Sequence, residues 1–472
     1  MHAKTFTEPA REIPVAADVD VLVIGGGSAG VPAAIAAARK GMDTLLVERN
    51  GFLGGTAVAS LVDVFVESEG RAGFFEELLA RLERLGGLSD HGFLEGVVLR
   101  ELGFDPELMK HALDQLTDEA GVRVLFHTLA ATAIVEGSTV KGVIIENKAG
   151  RQAIFAKRII DCSADGDIAA SAGAEFQIGR PQDGLSQAAT VVFRLGNVRH
   201  PEWAPAGEGR WRKGSFDERT MQTLLARLEE AKSSPKYGNS PMIQTGAIAR
   251  YLHSLGKRVT PRRDTETTMI MVRVLGVNGV DPWDLSRAEK EGRRQALELS
   301  EFYREHVPGC ENSYLLDTGT HVGIRATRRI LGDYVLVGDD VRQCRKFPDA
   351  IARCSFYIDV WQPDSYHPSR PMVELIPLPK GDWYDIPYRC LLPRGLENLL
   401  VAGRCISADY EAQASVRIQI PCIAMGQAAG TAAALSLQSG VTPRRLDVTA
   451  LQAALAQDRG AAPGGQQHPA NS

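Results

Sequence analysis

The sequence predicts an α/β chain built on a parallel sheet, with a second α+β unit carried between the two parts of the first. Three observations point there. Residues 19–24 (VDVLVI) are a short apolar run, a glycine-rich turn follows, and a second apolar run stands at residues 44–48 (TLLVE) after an alanine-rich stretch. Three further β-type runs, at about residues 130–135, 140–147 and 152–156, are separated by glycine-containing turns. From about residue 174 to residue 396, Pro, Trp, Tyr and Arg become frequent, and residues 398–402 (NLLVA) then return to the apolar strand type.

Each element has its own reason. The first apolar run suits a strand buried on both faces. Residues 29–40 favour helix, and Gly41 stops it. Strand, turn, helix and strand in close succession open a βαβ unit. Residues 74–85 and 106–120 read as helices and residues 122–126 (VRVLF) as another strand. The glycine-punctuated runs read as an antiparallel meander, and residues 158–161 (RIID) as a separate return to the main sheet. Further on, strands at residues 187–195 and 267–274 alternate with helices such as residues 286–305, and residues 418–438 form a long Ala/Gly-rich helix. The expected organisation is a flexible leader (1–18), a discontinuous first domain (19–173 and 397–458), a substrate or cap domain (174–396) and a disordered tail (459–472).

Composition narrows the function classes. A chain of 472 residues has room for two or three packed layers. The formal net charge of −5 gives no general attraction to nucleic acid or to an anionic membrane surface. Seven scattered cysteines with no C-x-x-C pair do not support a disulfide framework, a zinc site or an iron–sulfur cluster, and no metal is expected. Reduced thiols and a cytoplasmic location are the expectation. The opening residues lack a secretory-signal pattern. Residues 21–38 are nearly uncharged, yet four glycines and Pro32 inside them mark a turn rather than a membrane span. The expected partners are a small-molecule substrate and an electron donor or acceptor that the sequence does not name. The split first domain leaves room for a homodimer.

Gly25, Gly27 and Gly30 satisfy G-x-G-x-x-G, with Ser28 and Ala29 in the turn. Gly25 permits the tight turn off the strand, Gly27 lets the backbone approach a pyrophosphate, and Gly30 lets helix and strand pack closely. The anion would sit on the unpaired N–H groups of the helix start. Glu48 ends the second strand eighteen residues past Gly30, where a carboxylate accepts hydrogen bonds from an adenosine ribose, with Arg49 beside it. Residues 51–56 (GFLGGT) follow directly. Their run of small residues, including Gly54, Gly55 and Thr56, suits a backbone closing over a second phosphate or a flavin edge.

Several spaced segments carry a resemblance: VLVIGGGSAGVPAAIAAARKG with LLVERNGFLGGTA, then IIDCSADGDIAASAGA, HVGIRATRRILGDYVL, YDIPYRCLLPRGLENLLVAGRCISAD and ASVRIQIPCIAMGQAAGTAAAL. Together they bracket nearly the whole chain. In them the chain resembles the FAD-dependent oxidoreductase family of the glutathione-reductase-like superfamily. The resemblance implies a Rossmann-like FAD-binding domain (parallel sheet plus antiparallel β-meander) with a second α+β substrate domain, and FAD as the cofactor. It implies that Ala131 faces the adenine edge through its backbone. Ala164, Asp165 and Asp167 would lie near the ribityl or pyrophosphate region, and Gly403 and Arg404 beside the flavin. Ser415, Val416 and Ile418 would start a helix aimed at the pyrimidine end of the isoalloxazine, where N–H donors and Arg417 would meet the negative charge of a reduced flavin. Gly426, Ala429 and Gly430 also suit close packing of that helix. The family places the turn at residues 384–389 (YDIPYR) close to the cofactor.

No second G-x-G-x-x-G follows a later strand, and the redox-active C-x-x-x-x-C of the disulfide reductases is missing. Electrons would therefore pass through the substrate site, oxygen or a partner protein. Residues 318–329 (TGTHVGIRATRR) concentrate candidate chemistry. His321 has an acid–base pKa range near neutrality, and Arg325, Arg328 and Arg329, spaced as on one helical face, suit a carboxylate. Ion pairs with neighbours such as Asp333 are the bland alternative. Residues 355–370, with His367 and two tyrosines, read as a loop over the flavin or a packed domain edge, and residues 201–213 as a surface insertion. The expected function is hydride transfer between a small organic substrate, carboxylate-bearing by its arginines, and flavin N5. The alternatives are a flavin monooxygenase or oxidase using oxygen, a flavin-binding RNA-modification or regulatory subunit, and redox-neutral use of reduced FAD.

Overall fold

A computed structural model describes residues 5–66, 73–93, 100–199, 205–206, 210–211, 218–238, 240–252, 257–258, 263–364 and 373–460. The main sheet has seven strands. Its central strand, Val15–Ile24, pairs in parallel with Thr44–Val47 on one side and with Gly150–Asp161 on the other. Arg123–Leu125 extends the first side in parallel. On the other side, the first half of Gly150–Asp161 pairs antiparallel with Thr139–Asn147, which pairs with Leu129–Glu136. The second half of the same strand pairs in parallel with the returning strand Leu399–Val401.

This corrects two sequence boundaries. The runs at residues 152–156 and 158–161 are one strand, because one long strand serves both the meander and the parallel sheet. The supposed leader contributes Val15–Asp18 to the central strand, held there by the same neighbour from Val15↔Ala153 onward.

Strand Val15–Ile24 turns into helix Gly30–Arg39, so residues 21–38 are strand, turn and helix. Helix Gln419–Gln438 lies against that helix. It is long and apolar enough to cross a membrane, but its apolar residues are turned inward all round, as in a core helix. Its closest approaches use glycine: a β-carbon on Gly426 would fall 1.9 Å from Ala29 O, and one on Gly430 2.0 Å from Ala33 O. Backbone contact at that distance fixes where the helix begins relative to the nucleotide turn.

Of the smaller sheets, two frame the cavity. Val64–Val66, Arg100–Phe104 and Leu88–Phe93 form a small antiparallel sheet. Lys257–Arg258, Thr267–Met269, Phe193–Gly196 and Tyr314–Thr318 form an antiparallel sheet backed by helix Pro282–His306. That second sheet has its own core, with Phe193, Met269, Leu299 and Phe302 fully buried. Residues 336–392, grouped by sequence with the second domain, bury Leu336, Ile358, Tyr384 and Leu391 in the same core as the nucleotide helix. The strands expected at residues 187–195 and 267–274 are shorter, Phe193–Gly196 and Thr267–Met269, joined upstream by isolated bridges such as Ala189↔Val274. All seven cysteines are free and buried. His367, residues 461–472 and most of residues 201–213 lie outside the described residues.

Candidate active site

The sheet, the two packed helices and the second core enclose a cavity of about 870 Å³. The glycine turn forms part of its wall. A β-carbon on Gly30 would sit 1.7 Å from Gly25 O, so Gly30 packs beneath the turn and does not face the cavity. Gly27 does face it: the nearest atom to a β-carbon there is Gly55 Cα at 3.7 Å. Gly25, Ser28 and Ala29 complete this wall, at the start of helix Gly30–Arg39. The following loop folds back on the turn, Gly54 N donating to Gly26 O at 2.8 Å. Gly55 and Thr56 reach the cavity, while Gly54 is buried behind them.

Glu48 is 5% exposed and lines one end. Its Oε2 accepts from Gly26 N at 2.7 Å, and its Oε1 accepts from Asn50 N and Asn50 Nδ2, each at 2.8 Å. A carboxylate has about four acceptor positions, which leaves capacity for hydroxyl donors from a ligand. Arg49 and the stretch Thr128, Leu129 and Ala130 share this end. Ala131, expected to face an adenine, is exposed at a register shift between Ala130 and Thr132 and does not line the cavity. Its neighbour Ala130 lines the cavity instead.

The opposite wall begins where strand Gly150–Asp161 ends. Asp161, which sequence reasoning missed, is fully buried and accepts from Ser163 N (3.0 Å), Ile168 N (2.9 Å) and Ala169 N (2.8 Å). It thereby ties the turn at residues 163–166 to the start of helix Asp167–Ser171 and aims Ala164, Asp165 and Asp167 at the cavity. Asp165 Oδ1 accepts from Thr327 Oγ1 at 2.7 Å and pairs with Arg404 Nη2 at 3.1 Å. Asp167 pairs with Arg328 at 2.8 Å. Desolvation first, then the nearby Asp165 and Asp161 carboxylates, push the Asp167 carboxyl up to about 6 against the opposing pull of Arg328. Gly403 and Arg404 stand on the same side.

At the far end, helix Gln419–Gln438 points its first residues into the cavity through Ile418 and Gln419. Ser415 and Val416 do not take part. They close the preceding helix Tyr410–Val416 and are fully buried, the Ser415 hydroxyl donating to Phe356 O at 2.6 Å. The break falls at Arg417 and Ile418, so the new helix begins four residues later than Ser415. Arg417 is 12% exposed and pairs with Asp359 at 3.1 Å. Arg325 lies beside it, its Nη1 donating to Ala188 O (2.6 Å) and Thr190 Oγ1 (2.7 Å), its guanidinium 4.0 Å from the Trp361 ring centroid. Burial, then the like charge of Arg417, pull the Arg325 pKa down to about 9. The group stays cationic at neutral pH.

The three arginines of residues 318–329 do not share a helical face. Arg328–Ile330 is a strand paired with Phe176–Ile178, and extended backbone alternates its side chains. Arg325 and Arg328 reach the cavity; Arg329 is 2% exposed and donates to Ala408 O and Gly179 O at 3.1 and 3.0 Å, a structural role. Asp333 pairs with Arg444 instead. His321 reaches the Glu48 end, its Nε2 2.8 Å from Asn50 Oδ1. Tyr388 and Arg389 stay outside the cavity, the first donating to Pro443 O at 2.9 Å and the second paired with Asp349 at 2.8 Å. Much of the remaining wall is apolar, from Val192, Ile270, Met271, Leu285, Val322 and Ile324, and the carboxylates of Glu101 and Glu289 also line it.

The lining suits FAD. It offers a backbone cradle bare of β-carbons at Gly27, an acidic ribose acceptor at Glu48 and a long helix start at Ile418. Two buried guanidinium nitrogens, Arg404 Nη1 and Arg417 Nε, have no hydrogen-bond partner among the described residues and are donors for an oxygen-rich ligand. Fold and site together define a flavin-dependent oxidoreductase. The chain belongs to the FAD dependent oxidoreductase family, whose sequence model matches residues 20–455.

Among curated proteins, the chain is 30% identical over 247 residues to digeranylgeranylglycerophospholipid reductase 2 of Methanothermobacter thermautotrophicus, covering 45% of this chain and 62% of that protein. It is 51% identical over 53 residues to the mitochondrial dihydrolipoyl dehydrogenase of Caenorhabditis elegans, 11% of each. The chain thus spans less than two-thirds of the length of these relatives. Similar solved structures include a geranylgeranyl bacteriochlorophyll reductase-like protein from Thermoplasma acidophilum (TM-score 0.43, 13% identity, 93% of this chain and 82% of that one). Another is the p-nitrophenol 4-monooxygenase of Pseudomonas putida (TM-score 0.44, 9% identity, 94% and 85%).

Proposed function

We propose that this oxidoreductase transfers a hydride between N5 of its FAD and a small organic acid held by Arg325 and Arg417. The observation that carries this reading is the charge balance at the Ile418 end. Among the described residues, Arg417 pairs with Asp359, while the neighbouring Arg325 donates to the neutral oxygens of Ala188 and Thr190 and has no carboxylate of its own. A wall with surplus positive charge and little water attracts an anion strongly. Val192, Met271, Leu285 and Ile324 next to it would cover the apolar body of the substrate and keep water out. Bound FAD supplies the ring that takes or gives the hydride. The chain's own contribution is to orient the acid, to exclude water and to place the N–H groups of the helix start at Ile418 and Gln419 where negative charge grows on reduction.

The test is anaerobic. Small organic acids are added to the oxidised holoenzyme, or their unsaturated and keto counterparts to the reduced form, and flavin absorbance is followed. A carboxylate compound that bleaches or restores the flavin, with a KM raised in Arg325→Met, supports the reading. Reduced enzyme that responds only to oxygen, with an oxygen atom from O₂ in the product, overturns it in favour of a monooxygenase.

A further inference from the structure

We propose that His321 is a positioning residue for the adenosine end of the cofactor, acting on Glu48 through Asn50. The proposal rests on reading Glu48 as the ribose acceptor. Asn50 Nδ2 donates to Glu48 Oε1 at 2.8 Å, and Asn50 Oδ1 lies 2.8 Å from His321 Nε2. These links have one direction. The ionised carboxylate only accepts, so the Asn50 amide must turn its NH₂ to Glu48 and its oxygen to His321. His321 Nε2 therefore carries the proton and donates it. A chain of donors runs from the imidazole to the carboxylate, and Glu48 Oε2 is fixed at its other side by Gly26 N at 2.7 Å.

The same histidine is tied to both halves of the cavity. Its backbone N and the Thr320 hydroxyl both donate to Ala59 O at 3.1 Å. Ala59 ends the short helix Thr56–Ala59, which starts beside the nucleotide turn. The next residue, Val322, donates its N–H to Glu289 Oε1 at 2.7 Å, on helix Pro282–His306. Val322, Ile324 and Arg325 then line the substrate side. The segment 320–325 thus grips the ribose acceptor at one end and forms the substrate wall at the other. By linkage, any effect that filling one end has on binding at the other is reciprocal.

The experiment is titration of apoprotein with FAD, followed by flavin fluorescence. His321→Ala and Asn50→Ala are each expected to raise the Kd for FAD about tenfold. The double variant should be no more than about twofold worse than either single, since both cut one chain. His321→Gln, which keeps an N–H donor, should recover most of the affinity, a rescue that loss of packing alone would not allow. An unchanged Kd in His321→Ala and Asn50→Ala, or fully additive effects, overturns the relay. Glu48→Ala separates the two readings: if it too leaves the Kd unchanged, the ribose assignment fails. If it alone weakens FAD, the relay fails and the assignment stands.

Discussion

Gly55 approaches Gly27 so closely that a β-carbon on Gly55 would fall 2.8 Å from the Gly27 Cα. The loop after Glu48 is therefore a lid on the nucleotide turn, and Gly55 holds it with φ +52° and ψ −131°, a conformation costly for any side chain. Gly55→Ala should raise the Kd for FAD about fivefold or more, since a strained and crowded residue costs roughly 1–3 kcal/mol. Gly41→Ala is the control. Gly41 also has positive φ (+84°), but nothing lies within 4 Å of its absent β-carbon. Equal loss of FAD affinity in the two variants would show that backbone strain, not the Gly27 contact, is responsible.

Asp167 gives a pH signature. Its folded pKa of about 6 lies above the unfolded value of roughly 3.9, so the protonated form is favoured by folding. The stabilisation from that proton is complete below about pH 4 and is lost as the pH rises through about 6. Half-exposure of the side chain and its pairing with Arg328 keep the effect modest. Asp167→Asn should remove this part of the pH dependence. Urea midpoints of the apoprotein at pH 4.5 and 7.5 measure it. A wild-type minus variant difference that stays flat across the two pH values counts against a raised carboxyl.

The local part of this site was legible in the sequence. Gly25, Gly27, Glu48 and the strand and helix around them follow from short-range pattern, because strand burial, turn glycines and a carboxylate in register leave one arrangement. What failed was long-range or depended on backbone type. Arg325, Arg328 and Arg329 carry helical spacing, yet pairing with Phe176–Ile178 makes the backbone extended there. The long helix read at residues 418–438 is found at Gln419–Gln438 with Ile418 as its N-cap, while Ser415 and Val416, placed at its start by the family resemblance, close the preceding helix. The partnership of Arg417 with Asp359, and of His321 with Asn50, joins residues far apart in the chain and leaves no local pattern.

That Arg417–Asp359 pair makes a further prediction. Both side chains are nearly enclosed, so removing one leaves the other charge unpaired in a poorly solvated site. Asp359→Asn removes the carboxylate that pairs with Arg417, beside Arg325, so an anionic substrate or competing anion should bind about tenfold more tightly. Arg417→Met should act the other way, raising the KM for the acid about tenfold or more. Inhibition constants for simple carboxylates in the two variants give the comparison. Changes of the same sign in both would mean that the pair shapes the site rather than sets its charge.

Gly430 tests the link between packing and the site. Gly426 and Gly430 are one turn apart on helix Gln419–Gln438 and meet Ala29, the N-cap of helix Gly30–Arg39, and Ala33, one turn further along it. A methyl at residue 430 would stand 2.0 Å from Ala33 O, and that backbone oxygen cannot rotate away as a side chain would. The helices must then separate along their length. The cost is about 1–3 kcal/mol, so Gly430→Ala should lower the apoprotein Tm by about 1–3 °C. Separation also moves the residues at Ile418 and Gln419, which carry the helix start into the cavity. The visible absorption maximum of bound FAD should therefore shift in Gly430→Ala, although Gly430 is more than two turns from that end. A lower Tm with an unchanged flavin spectrum would mean that the helix bends locally and that its N-terminus is held by its own contacts, the Gln419 side chain donating to Val62 O and Val64 O among them.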